Sequence, residues 1–279
     1  MFYEVMLRIG QTESNEVLIG DEKGFISANQ IDPTVSSPLE WIKREPDNIP
    51  DLDMVNSDRR PATDFSFDVP LDLGRICGIG LNYADHITDL DADRPEIPAI
   101  FLQPQSAVTG PGGPIILPPD QAKTNTITAE AELALIFSET CRDVDYEHGL
   151  DVIGGFVPVI DITAEDLIRR NPRFLTRAKS YDTFLVVGPW VTILNSQKLS
   201  SLTVTTKIND KIIAEDKIEN MVFSPPELVA SVTTGSTHHP GDLLCTGTPG
   251  AGTIQPGDSV TARVESIGTL SAIVKQNSE

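Results

Sequence analysis

Short runs in which apolar and polar residues alternate recur along most of the chain, and the three-to-four spacing of amphipathic helices is scarce. Phe2-Tyr-Glu-Val-Met-Leu-Arg-Ile9 predicts a strand and Glu16-Val-Leu-Ile-Gly20 a second, while Pro38-Leu-Glu-Trp-Ile-Lys-Arg44 starts a short helix. From Glu45 to Thr63 the chain is polar and rich in Pro, Asp and Asn, the composition of a linker or surface loop. A small N-terminal α/β domain with its linker over 1–70 and a main domain over 71–279 are therefore expected. In the main domain, a buried strand opens the stretch Leu73 to His86, Ala99-Ile-Phe-Leu102 is another, and the turn-rich Thr109-Gly-Pro-Gly-Gly-Pro114 leaves no room for a long helix. Thr128 to Phe137 reads as a strand, and Tyr146 to Asp161 as a short helix followed by a strand. Ala164 to Arg170 predicts a helix that Pro172 stops. Strands are expected at Thr183–Val187, Trp190–Leu194, Leu202–Ile208, Leu243–Thr246 and Ser259–Glu265, with one further helix from Pro226 to Val232. The pattern predicts a mostly β, mixed α+β fold with long connections rather than a doubly wound sheet.

Chemistry concentrates in one stretch. In Thr128-Ala-Glu-Ala-Glu-Leu-Ala-Leu-Ile-Phe137 the acids Glu130 and Glu132 stand two apart, so on a strand they share a face about 7 Å apart. Like charges so placed need water, a basic partner or a cation, and a hard divalent ion takes oxygen ligands. The apolar run Val157-Pro-Val-Ile ends in Asp161, a third candidate ligand. The spacing equally suits an edge strand with its glutamates in solvent, and an Asp161 that caps the next helix.

With 279 residues there is ample length for a sizeable core, and 39% apolar content suits a soluble globular protein. No apolar run is long enough to cross a bilayer and the start lacks a signal-peptide pattern, so a cytoplasmic protein without membrane contact is expected. Cys77, Cys141 and Cys245 are odd in number and widely spaced, which favours reduced, buried thiols. A net charge of −20 repels phosphate backbones and makes nucleic acid a poor partner. Gly78 and Gly80 give half a dinucleotide fingerprint, without the third glycine. Asp89-Leu-Asp-Ala-Asp93 imitates an EF-hand start, but Arg94-Pro95 stands where glycine is needed, so a mobile acidic loop is the better reading. His238-His239 in a predicted turn is a weak metal candidate.

Eight motifs, in order, tie these observations together. They are Ile79-Gly-Leu-Asn-Tyr-Ala-Asp-His86, Phe101-Leu-Gln-Pro104, Glu130-Ala-Glu132, Asp161-Ile-Thr-Ala164, Ala178-Lys-Ser-Tyr-Asp-Thr-Phe184, Gly188-Pro-Trp190, Pro240-Gly-Asp242 and Thr246-Gly-Thr-Pro249. From about residue 73 to the C-terminus the chain resembles the fumarylacetoacetate hydrolase family. The resemblance implies a mixed β-sandwich roll, a homodimer, and a Mg²⁺ ion (Mn²⁺ or Ca²⁺ as alternatives) held by Glu130, Glu132 and Asp161. It makes His86 the general base, oriented by Asp89, and Lys179 the stabiliser of an enolate or oxyanion. Imidazole chemistry is suited to that task, since a carboxylate partner fixes its tautomer and raises its basicity. Tyr83, Gln103, Glu165 and Thr248 fall at substrate-binding positions, and Ile87 to Pro98 falls where relatives carry a lid.

Two positions depart from the family pattern. Gln103 stands where lysine is usual and Glu165 where arginine is usual, so two cations are missing from the expected cavity. A bidentate arginine is the natural grip for a carboxylate, so a less anionic or bulkier substrate is expected unless another cation compensates. Glu165 pairing with Arg169 four residues on would remove that consequence. The activity expected on this basis is metal-dependent hydrolysis of a carbon–carbon bond in a 1,3-dicarbonyl such as an acylpyruvate, through a metal-bound enolate. Decarboxylation, tautomerisation, or dehydration and cyclisation of a related 2-oxo acid share that enolate, and a non-catalytic binding homologue is the third possibility.

Overall fold

The computed structural model describes residues 7–44, 48, 50–55, 58–89, 93–119, 122, 124–194 and 196–277. The first part supplies strands β1 (Leu7–Gln11), β2 (Val17–Asp21) and β3 (Gly24–Ser27), then helix α1 (Pro38–Ile42), which Ser37 caps by accepting from the Glu40 N–H at 3.3 Å. Next come β4 (Ile76–Gly80), α2 (Ala84–Asp89), β5 (Ala99–Gln103), β6 (Val108–Thr109), β7 (Pro114–Ile116), β8 (Ile127–Phe137) and β9 (Ile153–Ala164). A hairpin of α3 (Glu165–Arg170) and α4 (Leu175–Ala178) leads to β10 (Leu185–Val187), β11 (Trp190–Ile193), β12 (Thr203–Ile208) and β13 (Lys211–Lys217). The chain ends with α5 (Pro225–Thr233), β14 (Leu243–Cys245), β15 (Ala251–Thr253), β16 (Ser259–Val264) and β17 (Gly268–Lys275).

These strands form two sheets. The larger has twelve strands, nine of them in the order β3-β2-β1-β11-β9-β8-β14-β4-β5, with β10, β6 and β15 attached at its sides. The smaller runs β13-β12-β16-β17-β7. It packs across β8 and β9, which makes the sandwich. Residues 127, 129, 131, 133, 135 and 137 of β8 point into that interface beside Ile160 and Ile162, against Val204, Val260, Ala262 and Leu270 of the smaller sheet. By the period of two, Thr128, Glu130, Glu132, Ala134 and Ile136 face the other way. There Ala134 and Ile136 meet a second apolar cluster with Val157, Val159, Leu185 and Cys245, completed by Leu7, Ile9 and Trp41 from the N-terminal part. That part joins the larger sheet through β1, which pairs antiparallel with β11.

All eleven residues of β8 are buried, which decides between the two readings of its alternating acids. The strand is not an edge: β9 pairs along its whole length on one side, and β14 and β15 occupy the other. Nor does Asp161 cap a helix. It lies within β9, directly opposite Glu130, and Ala164 is the residue that precedes α3. The predicted helix at Tyr146 is only a single 3-10 turn, Tyr146–His148. The three cysteines are free, with Cys77 and Cys245 buried. No helix among the described residues is long and apolar enough to cross a membrane.

Candidate active site

Register sets the first two distances of the site. Glu130 and Glu132 are two apart on β8, and Asp161 is the cross-strand partner of Glu130, so the antiparallel pairing delivers three carboxylates to one patch of one face. One oxygen from each lies within 4.8 Å of the others. The patch is dry, with Glu130 7%, Glu132 2% and Asp161 0% exposed. Lys179, the residue after α4, inserts its ammonium among them and donates to Glu130 Oε2 at 3.0 Å and Asp161 Oδ2 at 2.9 Å. The same ammonium sits 5.3 Å from the centre of the Phe101 ring.

Neutral donors fix three of the four remaining oxygens. Thr163 Oγ1 donates to Glu130 Oε1 at 3.3 Å, the Gly247 N–H to Glu132 Oε2 at 2.7 Å, and Gln103 Nε2 to Asp161 Oδ1 at 3.0 Å. Gln103 Nε2 also donates to the Lys179 carbonyl at 3.2 Å. With both of these partners acceptors, the amide has one sensible orientation, and its Oε1 is left buried without a donor among the described residues. Gln103 is thus part of the cluster and orients Asp161.

The electrostatics follow from three acids around one ammonium. Burial lifts the Asp161 carboxyl to about 6, although Lys179 pulls the other way. Burial, reinforced by the charge of Asp161, pushes Glu132 well above the usual carboxylate range, with Lys179 again opposing. Burial works against the Lys179 charge too, but Asp161, Glu130 and Glu132 outweigh it and hold the ammonium above its ordinary range. The pocket therefore has an excess of negative charge, hard oxygen donors and an orphaned carbonyl. That donor set fits a hard divalent cation: Glu130, Glu132 and Asp161 would hold it, and two positive charges would offset the excess.

The other expected site residues divide into those adjoining the cluster and those set apart from it. His86 is buried in α2, one turn after Asn82. Asn82 ties this helix to the cluster: its Nδ2 donates to the Thr246 carbonyl at 2.8 Å and the Phe223 carbonyl at 3.1 Å, while its Oδ1 accepts from the Phe223 N–H at 2.9 Å. Thr246 precedes the Gly247 whose N–H holds Glu132. Gly247 has φ +91, and a Cβ there would come within 2.9 Å of the Asn82 side chain, so the turn needs glycine. Thr248 is buried and donates to the Gly250 carbonyl at 3.0 Å. Tyr83 is fully buried in the sandwich core; burial, with Asp216 and Glu132 nearby, pushes its hydroxyl up, and that oxygen has no partner among the described residues. The Asp89 side chain, and Leu90 to Ala92 of the acidic loop, lie outside the described residues. Glu165 turns to Thr128, accepting from its Oγ1 at 3.0 Å, rather than to Arg169. His238 stacks on Phe137 with ring centres 4.6 Å apart and lies 3.3 Å from Asp242, remote in sequence and role from the carboxylates.

Asn82, Thr163 and Gly247 are supporting residues that the motifs contained but spacing alone does not single out. Thr163 is legible afterwards as the next residue on the Asp161 face of β9. Asn82→Ala should destabilise the protein by about 2–4 kcal/mol in urea unfolding, because it strands the buried Thr246 carbonyl together with the half-buried carbonyl and N–H of Phe223. A loss below about 1 kcal/mol would show that water replaces the side chain without difficulty.

Three carboxylates and one lysine, buried together on the face of the central strands turned away from the smaller sheet, make the site of a small-molecule enzyme. The chain belongs to the fumarylacetoacetate hydrolase family: the model for the fumarylacetoacetate (FAA) hydrolase C-terminal region matches residues 75–275. It is 35% identical over 199 residues to the mitochondrial oxaloacetate tautomerase oaa1 of Schizosaccharomyces pombe, covering 68% of this chain and 88% of that protein. Among solved structures, fumarylacetoacetate hydrolase from Exiguobacterium antarcticum superposes with a TM-score of 0.83 at 26% identity, covering 98% of this chain and all of the other. Maleylpyruvate hydrolase from Sphingobium sp. SYK-6, in complex with manganese(II) and pyruvate, shares the fold at a TM-score of 0.80 and 24% identity, over 97% of this chain and all of that one.

Proposed function

We propose that the chain is a divalent-metal-dependent enzyme that interconverts the enol and keto forms of a 2-oxo acid carrying a second carbonyl or carboxyl group, with oxaloacetate as the first substrate to try. The observation that carries this reading is the buried trio Glu130, Glu132 and Asp161 with Lys179 bonded to two of its members. Glu130, Glu132 and Asp161 would hold a divalent ion, Mg²⁺ or alternatively Mn²⁺ or Ca²⁺, which would supply Lewis-acid chemistry to a bound 2-oxo acid.

Lys179 brings a fixed positive charge beside the keto oxygen and stabilises negative charge as it develops there. His86 is the proton carrier: toward the keto form it takes the proton of the enol hydroxyl and delivers it to the carbon between the two carbonyl groups, and toward the enol it takes the proton from that carbon and delivers it to the keto oxygen. Asn82 holds its helix in place. Thr248 offers a hydroxyl to the substrate's far oxygen when it gives up its bond to Gly250. Water is not consumed and no carbon–carbon bond breaks, so dry walls suit this reaction. The named activity of the relative at 35% identity favours this reading. Hydrolysis of a carbon–carbon bond in an acylpyruvate is the second reading, favoured by the fumarylacetoacetate hydrolase neighbour at 26% identity.

The test is enol decay. Freshly dissolved enol-oxaloacetate should convert to the keto form at least about 100-fold faster with protein and ion than with protein and chelator. Restoring Mg²⁺, Mn²⁺ or Ca²⁺ singly identifies the ion. Product analysis in labelled water separates the readings, since hydrolysis places the label in a new carboxylate and tautomerisation yields no new acid. Absence of both on oxaloacetate and on acylpyruvates would sink the two together.

A further inference from the structure

Five of the chain's 21 lysines and arginines fall between residues 169 and 179, a stretch without a single acid in a chain that carries 41. The stretch belongs to the α3–α4 hairpin, which departs from the carboxylate cluster after Asp161 and returns to it at Lys179. The hairpin is well anchored. Asp166 accepts from the N–H groups of Asn125 at 2.6 Å and Thr126 at 3.0 Å, Glu165 accepts from Thr128, and α4 packs on β5, the strand of Phe101 and Gln103. It carries Arg169, Arg173 and Arg177, all exposed and none in a salt bridge among the described residues, although Arg169 is near enough to Asp166 to help lower that carboxyl. The Arg177 guanidinium lies 6.0 Å from the ring centre of Phe174, itself 38% exposed.

Such a cluster needs explaining on a surface with a net charge of −20. A small dianion approaching this protein is repelled almost everywhere, and screening limits each charge to about 8–10 Å, so only charges at the entrance help it in. Inside, Lys179 is already engaged by two carboxylates, Gln103 is neutral and Glu165 is acidic. We infer that the arginine rim of the α3–α4 hairpin is the anion-attracting element of this site, drawing a polycarboxylate 2-oxo acid to the cluster and supplying from outside the positive charge that positions 103 and 165 do not supply from within. The inference rests on the 2-oxo acid reading above. It also removes the need for an unusually uncharged substrate.

The probe is oxalate, a compact dianion with the chelating oxygens of a 2-oxo acid. Calorimetric titration of the Mn²⁺-saturated protein at low and high NaCl should show wild-type affinity falling about 10-fold as the salt screens the rim. The triple variant Arg169→Gln, Arg173→Gln, Arg177→Gln should bind about 10-fold more weakly at low salt and lose most of the salt dependence, whereas the triple lysine variant should behave as wild type. The side chains are exposed, and a melting curve checks that the fold persists. A glutamine variant with the wild-type salt dependence overturns the inference. Oxalate binding with the expected salt response but no turnover of oxaloacetate leaves the rim standing and sinks the reaction. Turnover of oxaloacetate with salt-blind affinity does the reverse, and an absence of oxalate binding overturns both.

Discussion

Glu132→Gln should leave the ion-free protein as stable as wild type at neutral pH, or more so, while lowering divalent-ion affinity more than about 100-fold and turnover by about 100–1,000-fold. Burial and the charge of Asp161 push the Glu132 carboxyl well above its ordinary value of 4.5, so the folded, ion-free protein retains a proton that the unfolded chain has released. Stability therefore falls as pH rises from about 4.5, by at most about 1.4 kcal/mol per pH unit, until the folded carboxyl ionises. Asp161, raised to about 6 by burial, adds a decline that is complete above that pH. Glutamine resembles the protonated acid and still accepts from the Gly247 N–H. It should therefore flatten the Glu132 part of the slope, which urea unfolding with chelator present at several pH values would measure. With ion in excess the comparison inverts, because ligand linkage stabilises the wild type alone. Ion affinity itself should rise with pH in the wild type, since protons and cation compete for the same oxygens. A glutamine variant that binds ion normally, or that unfolds far more easily without it, would show that Glu132 is a structural acid and no ligand.

How much of this site could be read beforehand depends on which physical property each part rests on. The pairing of Glu130 with Glu132 on one face needs only the period of two, and that is written in the order of residues. Whether the face is wet or dry is set by what covers it: β9, β14 and the α3–α4 hairpin come from distant parts of the chain, and alternation of alanine with glutamate looks the same on an edge as in the middle. The opposition of Asp161 to Glu130 is a matter of register across an antiparallel pair, which motif resemblance implied and spacing could not. Six strands are not predicted by the pattern: β6, β7 and β15 have only two or three residues each, and the other three are hidden for different reasons. β13 places Ile212 and Ile213 side by side and partly in solvent, so it does not alternate, and β3 has only four residues. β17 alternates without fault from Gly268 onward, burying Leu270, Ala272 and Val274, but it contains small and polar residues that dilute the apolar signal. Gln103 was legible as a missing cation. Its second property, an amide locked between the Asp161 carboxylate and the Lys179 carbonyl, depends on a contact across 76 positions of sequence.

The largest effect that leaves the ion in place is expected from His86→Gln, which should lower turnover by about 100–10,000-fold with ion affinity changed less than about twofold. The groups around the cluster narrow the choice of base. Against the cost of burial, Asp161, Glu130 and Glu132 keep the Lys179 ammonium protonated beyond its ordinary range, so it has no lone pair to offer near neutrality. Burial keeps the Tyr83 hydroxyl protonated as well, and the carboxylates would be committed to a bound ion. His86 stands on a helix fastened through Asn82 to the turn that positions Glu132, which gives it a fixed relation to the cluster without a ligand's role. Glutamine keeps hydrogen-bonding capacity and approximate size but cannot accept and release a proton. The loss should therefore fall on turnover, while calorimetric titration with Mn²⁺ stays as in wild type. Turnover within about threefold of wild type would move the proton transfer to another group, and an equal loss of ion affinity would mean that α2 props up the carboxylates instead of serving the substrate.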